Sequence, residues 1–136
     1  MFLAYGFLEK IFDIFARHQV SVDLISTSEI TVSLTTDEKE LPHEALEELK
    51  GFSKVKVAKD MALVSIVGEN IKTAPGFLRK VFQAVDRIPI EMITFGASNV
   101  NLSLVVSDRY TQETVSRLHR SFFETKGKRS SYAGSV

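Results

Sequence analysis

Asp23 and Glu29 supply two carboxylates, and the triplet Gly6, Phe7, Leu8 supplies backbone N–H groups at the start of an amphipathic segment. A helix N-terminus is a natural seat for a carboxylate, because its first N–H groups lack intrahelical partners and the helix dipole favours negative charge. Acids facing that seat would accept ammonium groups. Together they have the chemistry to hold a free amino acid by its α-carboxylate and α-ammonium, and a second acid suits the side-chain ammonium of lysine. In this reading Asp23 lies in the strand facing the cradle, and Glu29 begins the next strand. Other chemistry is not legible. His18, His43 and His119 lack metal-ligand spacing and read as surface or helix-end residues. No nucleophile–base pair stands out, and Gly68 with Gly76 does not make a phosphate loop.

These residues sit inside a repeat. Residues 6–34, GFLEKIFDIFARHQVSVDLISTSEITVSL, align without a gap on residues 76–104, GFLRKVFQAVDRIPIEMITFGASNVNLSL. Gly6/Gly76, Phe7/Phe77, Leu8/Leu78, Lys10/Lys80, Phe12/Phe82, Arg17/Arg87, Ser28/Ser98, Ser33/Ser103 and Leu34/Leu104 are identical. A repeat fixes architecture and supplies an internal control: differences between the copies are not explained by the fold alone. The counterparts of Asp23 and Glu29 are Ile93 and Asn99. The triplet persists in both copies and the acids do not, so the ligand is expected in the first copy, with the second building a dimer.

The elements that must position these residues follow from periodicity. Phe7, Leu8, Ile11, Phe12, Ile14 and Phe15 recur at helical spacing opposite Glu9, Lys10, Asp13 and Arg17. Residues 20–26 and 29–35 read as strands, with Ile30, Val32 and Leu34 on one buried face. Pro42 opens a short helix with a solvated Glu44/Glu47/Glu48 face, Gly51 ends it, and residues 54–57 alternate as a strand. The second copy repeats the order: a strand at 61–67, a helix at 76–85, strands at 90–95 and 99–106, and a helix at 111–123. Phe12, Phe15, Phe77 and Phe82 read as core. Ser26, Thr27 and Ser28 read as turn residues. The polar, basic, Gly/Ser-rich end reads as a disordered tail. This is the split β-α-β arrangement twice, a four-stranded antiparallel sheet with two helices on one face. A mere stub of an opening strand and no closing strand in the second copy suggest a fragment lacking at least one upstream strand, with Met1 not the natural start.

Composition narrows the field. The chain has 136 residues, 44% hydrophobic and 25% charged, with Lys and Arg balancing Asp and Glu at 17 each. Zero net charge, with Lys126, Lys128 and Arg129 too few to argue otherwise, weighs against nucleic acid or an anionic membrane as partner. No cysteine is present, which excludes disulfides and thiolate zinc sites. No apolar run approaches a membrane span, and the simplest compartment is the cytoplasm.

On the residues GFL…IF…ARHQVSVDLISTSEITVSLTTD and MALVSIVG…FQAV…MITFGASNVNLSLVV, the chain resembles the tandem ACT domains of the C-terminal regulatory region of aspartate kinases, lysine-sensitive branch. The resemblance covers residues 1–123. It implies an α+β fold of two ferredoxin-like βαββαβ ACT domains in tandem. The first is expected at 1–59 and binds effector, the second at 60–124 and builds the dimer, and the tail runs from 125 to 136. It implies a regulatory module without catalytic residues, a homodimer binding an end-product amino acid, most simply lysine, and feedback on an N-terminal kinase domain. ATP and Mg would belong to that kinase domain, so no cofactor is expected here. Around the ligand it implies Met1, Ala4, Gly6, Phe7, Leu8, Ser21, Val22 and Asp23, with Thr27, Ser28 and Glu29 from a partner chain. Leu3 and Ala4 stand where the lysine-sensitive pattern has polar residues, and Tyr5 where it has a basic one. That departure leaves open a module sensing threonine or another amino acid, or an assembly module that binds no ligand.

Overall fold

The computed structural model describes residues 5–123 and the backbone of residues 132–135. The chain divides into two compact units, Met1–Lys59 and Asp60–Val136. Both are α+β with antiparallel strand pairing.

In the first unit, helix α1 (Phe7–Arg17) is followed by strands β1 (Val22–Thr27) and β2 (Val32–Thr36) and helix α2 (His43–Lys50). Phe7, Ile11, Ile14 and Phe15 of α1 meet Ala45 and Leu49 of α2 in a common core with Val20. Each of these side chains larger than alanine contributes about 1.5–3 kcal/mol by leaving water. Phe12 and Phe82, expected in the core, are 42% and 45% exposed. The hairpin is tighter than expected. Residues 28–31 form its turn, so Glu29 lies at the tip and Ile30 is 61% exposed rather than part of the buried face. Ser26 is a strand residue paired with Ser33, and the turn role falls to Ser28, whose hydroxyl accepts the Thr31 N–H at 3.2 Å. Residues 54–57 form no strand. Val55 packs on the core, but a strand needs a ladder partner, and the opening strand expected from the sequence falls on residues outside those described.

The second unit runs β3 (Met61–Gly68), α3 (Phe77–Ala84), β4 (Ile90–Phe95), β5 (Asn101–Ser107), one 3-10 turn, α4 (Thr111–Phe123) and β6 (Tyr132–Ser135). Its sheet has the order β4-β5-β3-β6. Val64, Ile66, Leu102, Leu104 and Val106 meet Phe77, Val81, Leu118 and Phe122 in its core. Within the expected tail, residues 132–135 pair as a strand with Ser65–Gly68 of β3, so that stretch is not disordered, and the rest of the tail lies outside the described residues. Composition weighs side chains, whereas the vacant edge of β3 offers a row of backbone donors and acceptors that almost any segment can pair. Among the described residues, no helix is long and apolar enough to cross a membrane.

Gly6 and Gly76 precede their helices at φ +84° and +73°, a left-handed conformation that costs other residues about 1–2 kcal/mol. A Cβ on Gly76 would meet nothing within 4 Å, so strain alone decides the effect of substitution. Gly76→Ala is expected to lower stability by about 1–2 kcal/mol, and Gly76→Asn by less, in urea unfolding. Equal stability of the alanine variant would contradict the left-handed entry to α3.

Candidate amino-acid site in the first unit

Helix α1 is entered through Gly6, followed by buried Phe7 and by Leu8, whose side chain is 38% exposed. Tyr5, just before, is fully exposed. Met1 and Ala4 lie outside the described residues. The chain turns at the helix C-terminus, where Val20 N–H donates to the Phe15 carbonyl at 2.9 Å, and β1 begins two residues later. Asp23 is therefore not opposite the cradle. Eleven helical residues at about 1.5 Å each put some 15 Å between Gly6 and the start of β1. Ser21, Val22 and Asp23 follow the C-terminus of α1, while Thr27, Ser28 and Glu29 lie at the hairpin end of β1. Asp23 and Glu29 stand at opposite ends of β1, about 20 Å apart along the strand.

Asp23 occupies a special backbone position. The β1–β2 ladder pairs Val22 with Thr36 and Leu24 with Thr35, leaving Asp23 as the extra residue of a bulge, exposed to solvent. Bulges bend the strand and re-aim a side chain away from the ladder.

The same bulge recurs in the second unit, with a different residue. Ile90 pairs with Val106 and Met92 with Val105, so Glu91 is extruded opposite the pair that corresponds to Thr35 and Thr36. The second hairpin has slid by two residues relative to the gapless alignment. An even slide keeps every side chain on its face and costs the core nothing. Gly96, at φ +106°, stands in its longer turn where the first unit has Ser26 in a strand. Ile93 is thus not the spatial counterpart of Asp23; Glu91 is. The absence of an acid from the second copy is corrected accordingly.

Other features still separate the copies. In the second unit Phe77 N–H donates to the Ala74 carbonyl at 3.3 Å, spending one donor of that cradle. Lys72 Nζ donates to the Gly96 carbonyl at 3.2 Å, and Gly68 N–H to the Val100 carbonyl at 2.8 Å, tying the loops at that end together. Asn99 carries no charge where Glu29 does.

The strongest electrostatic feature of the first unit pins its two helices. Arg17 donates to both carboxylate oxygens of Glu48, at 3.1 and 2.5 Å, and through Nε to Asp13 at 2.9 Å. His18 Nε2 donates to Glu48 at 2.9 Å, because an ionised carboxylate only accepts. These bonds, from Arg17 first and then His18, hold Glu48 down at about 2. Bonding to Glu48 and then Asp13 raises Arg17 above its ordinary value. Glu48 is therefore no mere solvated position, and His18 is part-buried against it. Among the described residues no group of three His, Asp or Glu side chains could hold a metal ion.

Comparison with known proteins gives the setting. The family model described as ACT domain matches residues 64–122. Lysine-sensitive aspartokinase 3 of Escherichia coli K12 is 38% identical over 127 residues, 88% of this chain and 28% of the relative. The solved E. coli aspartokinase III with lysine and aspartate superposes with a TM-score of 0.77 at 38% identity, over 88% of this chain and 28% of that one. A chain described as a C-terminal regulatory domain of aspartate kinase, from Porphyromonas gingivalis W83, superposes with a TM-score of 0.78. It is 33% identical, over 89% of this chain and 83% of that one. The chain thus spans 28% of the length of the E. coli enzyme and most of the isolated regulatory domain.

Because Glu48 is depressed below its unfolded value, its contribution to stability is present above about pH 4.5 and lost as pH falls toward about 2. Thermal unfolding of Glu48→Gln should therefore show a lower midpoint at neutral pH and a flatter decline between those values. Parallel pH profiles for parent and variant would contradict the clamp.

Proposed function

Because this chain belongs to the ACT-domain C-terminal regulatory regions of aspartate kinases, we propose that it senses an end-product amino acid, lysine, and relays feedback inhibition to a kinase domain. The observation that carries this reading is the separation of cradle and acid. An amino acid bears its carboxylate and α-ammonium on one carbon, while Gly6–Leu8 and Asp23 of one chain lie about 15 Å apart. One chain cannot close both ends on one ligand. Two first units related by a two-fold axis, with α1 antiparallel to its partner, would bring the cradle of each beside Ser21, Val22 and Asp23 of the other.

In this arrangement the N–H groups of Gly6, Phe7 and Leu8 hold the carboxylate, and Asp23 of the second chain accepts from the α-ammonium. Glu29, flanked by Thr27 and Ser28 at the hairpin end of β1, is the acceptor available to the ε-ammonium. The grouping differs from the one the resemblance implies, which takes Asp23 and the cradle from the same chain. Ligand shared between two chains must tighten the dimer by linkage. Lysine thereby stabilises an inhibited arrangement that draws the kinase domain, with its ATP and Mg, out of productive geometry. We assign the module to the cytoplasm.

Thermal unfolding with lysine, threonine, methionine or isoleucine tests the reading. Lysine at about a hundred times its dissociation constant should add about 2.7 kcal/mol. Asp23→Asn should abolish that shift, and Glu29→Gln should weaken it for lysine in particular. A shift with another amino acid alone would change the effector; no shift with any would leave an assembly module.

A further inference from the structure

The cradle of the first unit carries a carboxylate of its own. A Cβ on Gly6 would meet Oε2 of Glu9 at 3.5 Å, so the Glu9 side chain folds back over the residue that opens α1. Glu9 is the third residue of the helix, the position from which an acid reaches toward the first unpaired N–H groups. The helix dipole draws it there. Asp13 lies one turn further along the same face and repels it in the same direction. Neighbouring charges are committed elsewhere. Lys10 Nζ lies 5.7 Å from the centre of the Phe52 ring, and Asp13 accepts from Arg17 Nε at 2.9 Å. Among the described residues no ion pair or hydrogen bond fixes the Glu9 carboxylate, so rotation of its side chain is enough to move it.

The second unit closes the same opening by other means. Arg79 stands where the first unit has Glu9, and a Cβ on Gly76 would meet nothing within 4 Å. There the Phe77 N–H is spent on the Ala74 carbonyl. A backbone carbonyl leaves only if its turn unfolds, whereas a glutamate leaves by changing rotamer. The first cradle is covered reversibly, and the second is tied within the backbone.

We propose that the Glu9 carboxylate is a removable internal stand-in for the carboxylate of the effector. It covers the Gly6–Leu8 cradle when no ligand is bound and swings out when one enters. The inference rests on the effector site proposed above and adds the residue that sets its threshold. Two carboxylates cannot share one set of N–H donors, so the effector must expel Glu9 against the attraction of the helix dipole. A ligand whose ammonium is also held has the advantage needed for that exchange, and a carboxylate without an ammonium does not. Glu9 thereby lowers affinity and sharpens the choice of an amino acid over other small anions.

Two measurements on the whole chain keep this inference apart from the effector reading. Without ligand, the amide proton resonances of Gly6, Phe7 and Leu8 should move as acid protonates the carboxylate. That response should vanish in Glu9→Gln, which keeps the reach of the side chain without its charge, while Gly76, Phe77 and Leu78 are unaffected by the substitution. In calorimetry Glu9→Gln should bind lysine about twofold to fivefold more tightly than the parent, with a smaller gain at high salt. The same variant loses an acid from the helix N-terminus and should unfold at a lower urea concentration. A side chain that only stabilised the helix would give the lower urea midpoint without the tighter binding. Amides that ignore the titration, or a variant that binds lysine no more tightly than a binding parent, would overturn the proposal and leave the effector reading standing. A parent that binds no amino acid would remove the effector reading and this inference with it.

Discussion

An amino acid is small, and the groups suited to hold it are set a helix length apart. That mismatch governs the rest of the first unit. Helix α1 fixes the cradle at its N-terminus, and the connection to β1 fixes Asp23 beside its C-terminus. Because α1 buries Phe7, Ile11, Ile14 and Phe15 against α2, neither end can shift to meet the other without loss of the core. The clamp of Arg17 and His18 on Glu48 stiffens the C-terminal end further. In the proposed arrangement a site on such a rigid spacer is completed by a second chain, so that binding and association become one equilibrium.

The helices, their burying stripes and the twofold repeat were legible in the sequence, because helical periodicity and gapless identity are local signals. The ACT-domain resemblance and the α+β fold were legible for the same reason. What escaped depended on partners distant in the chain. Ile30 alternates correctly with Val32 and Leu34, but Ser28 closes a tighter turn and leaves it outside. Residues 132–135 carry no strand signature; the vacant edge of β3 makes them a strand. Residues 54–57 alternate well and have no described strand to pair with.

The candidate site was legible in its parts rather than in its geometry. Gly6 and the acids were visible as residue types. That Asp23 sits on a bulge, and that Glu91 rather than Ile93 is its spatial counterpart, required the ladder register. A slide of two residues is invisible to hydrophobic pattern, since it returns every side chain to the same face. Phe12 and Phe82 were misplaced for a related reason. A periodic stripe identifies an apolar arc around a helix, but not how much of that arc its own unit covers.

The central claim is that cradle and acid in one site come from different chains. Complementation measures this directly. Gly6→Val forces a branched residue into a left-handed turn and should disable the cradle, while Asp23→Asn removes the acid. Neither variant alone should bind lysine in calorimetry. An equimolar mixture, exchanged to allow mixed dimers, should regain binding, because each mixed dimer holds one site with both halves intact. Silence in the mixture, with parent dimers binding under the same conditions, would mean that cradle and acid serve the ligand from one chain and would contradict the account.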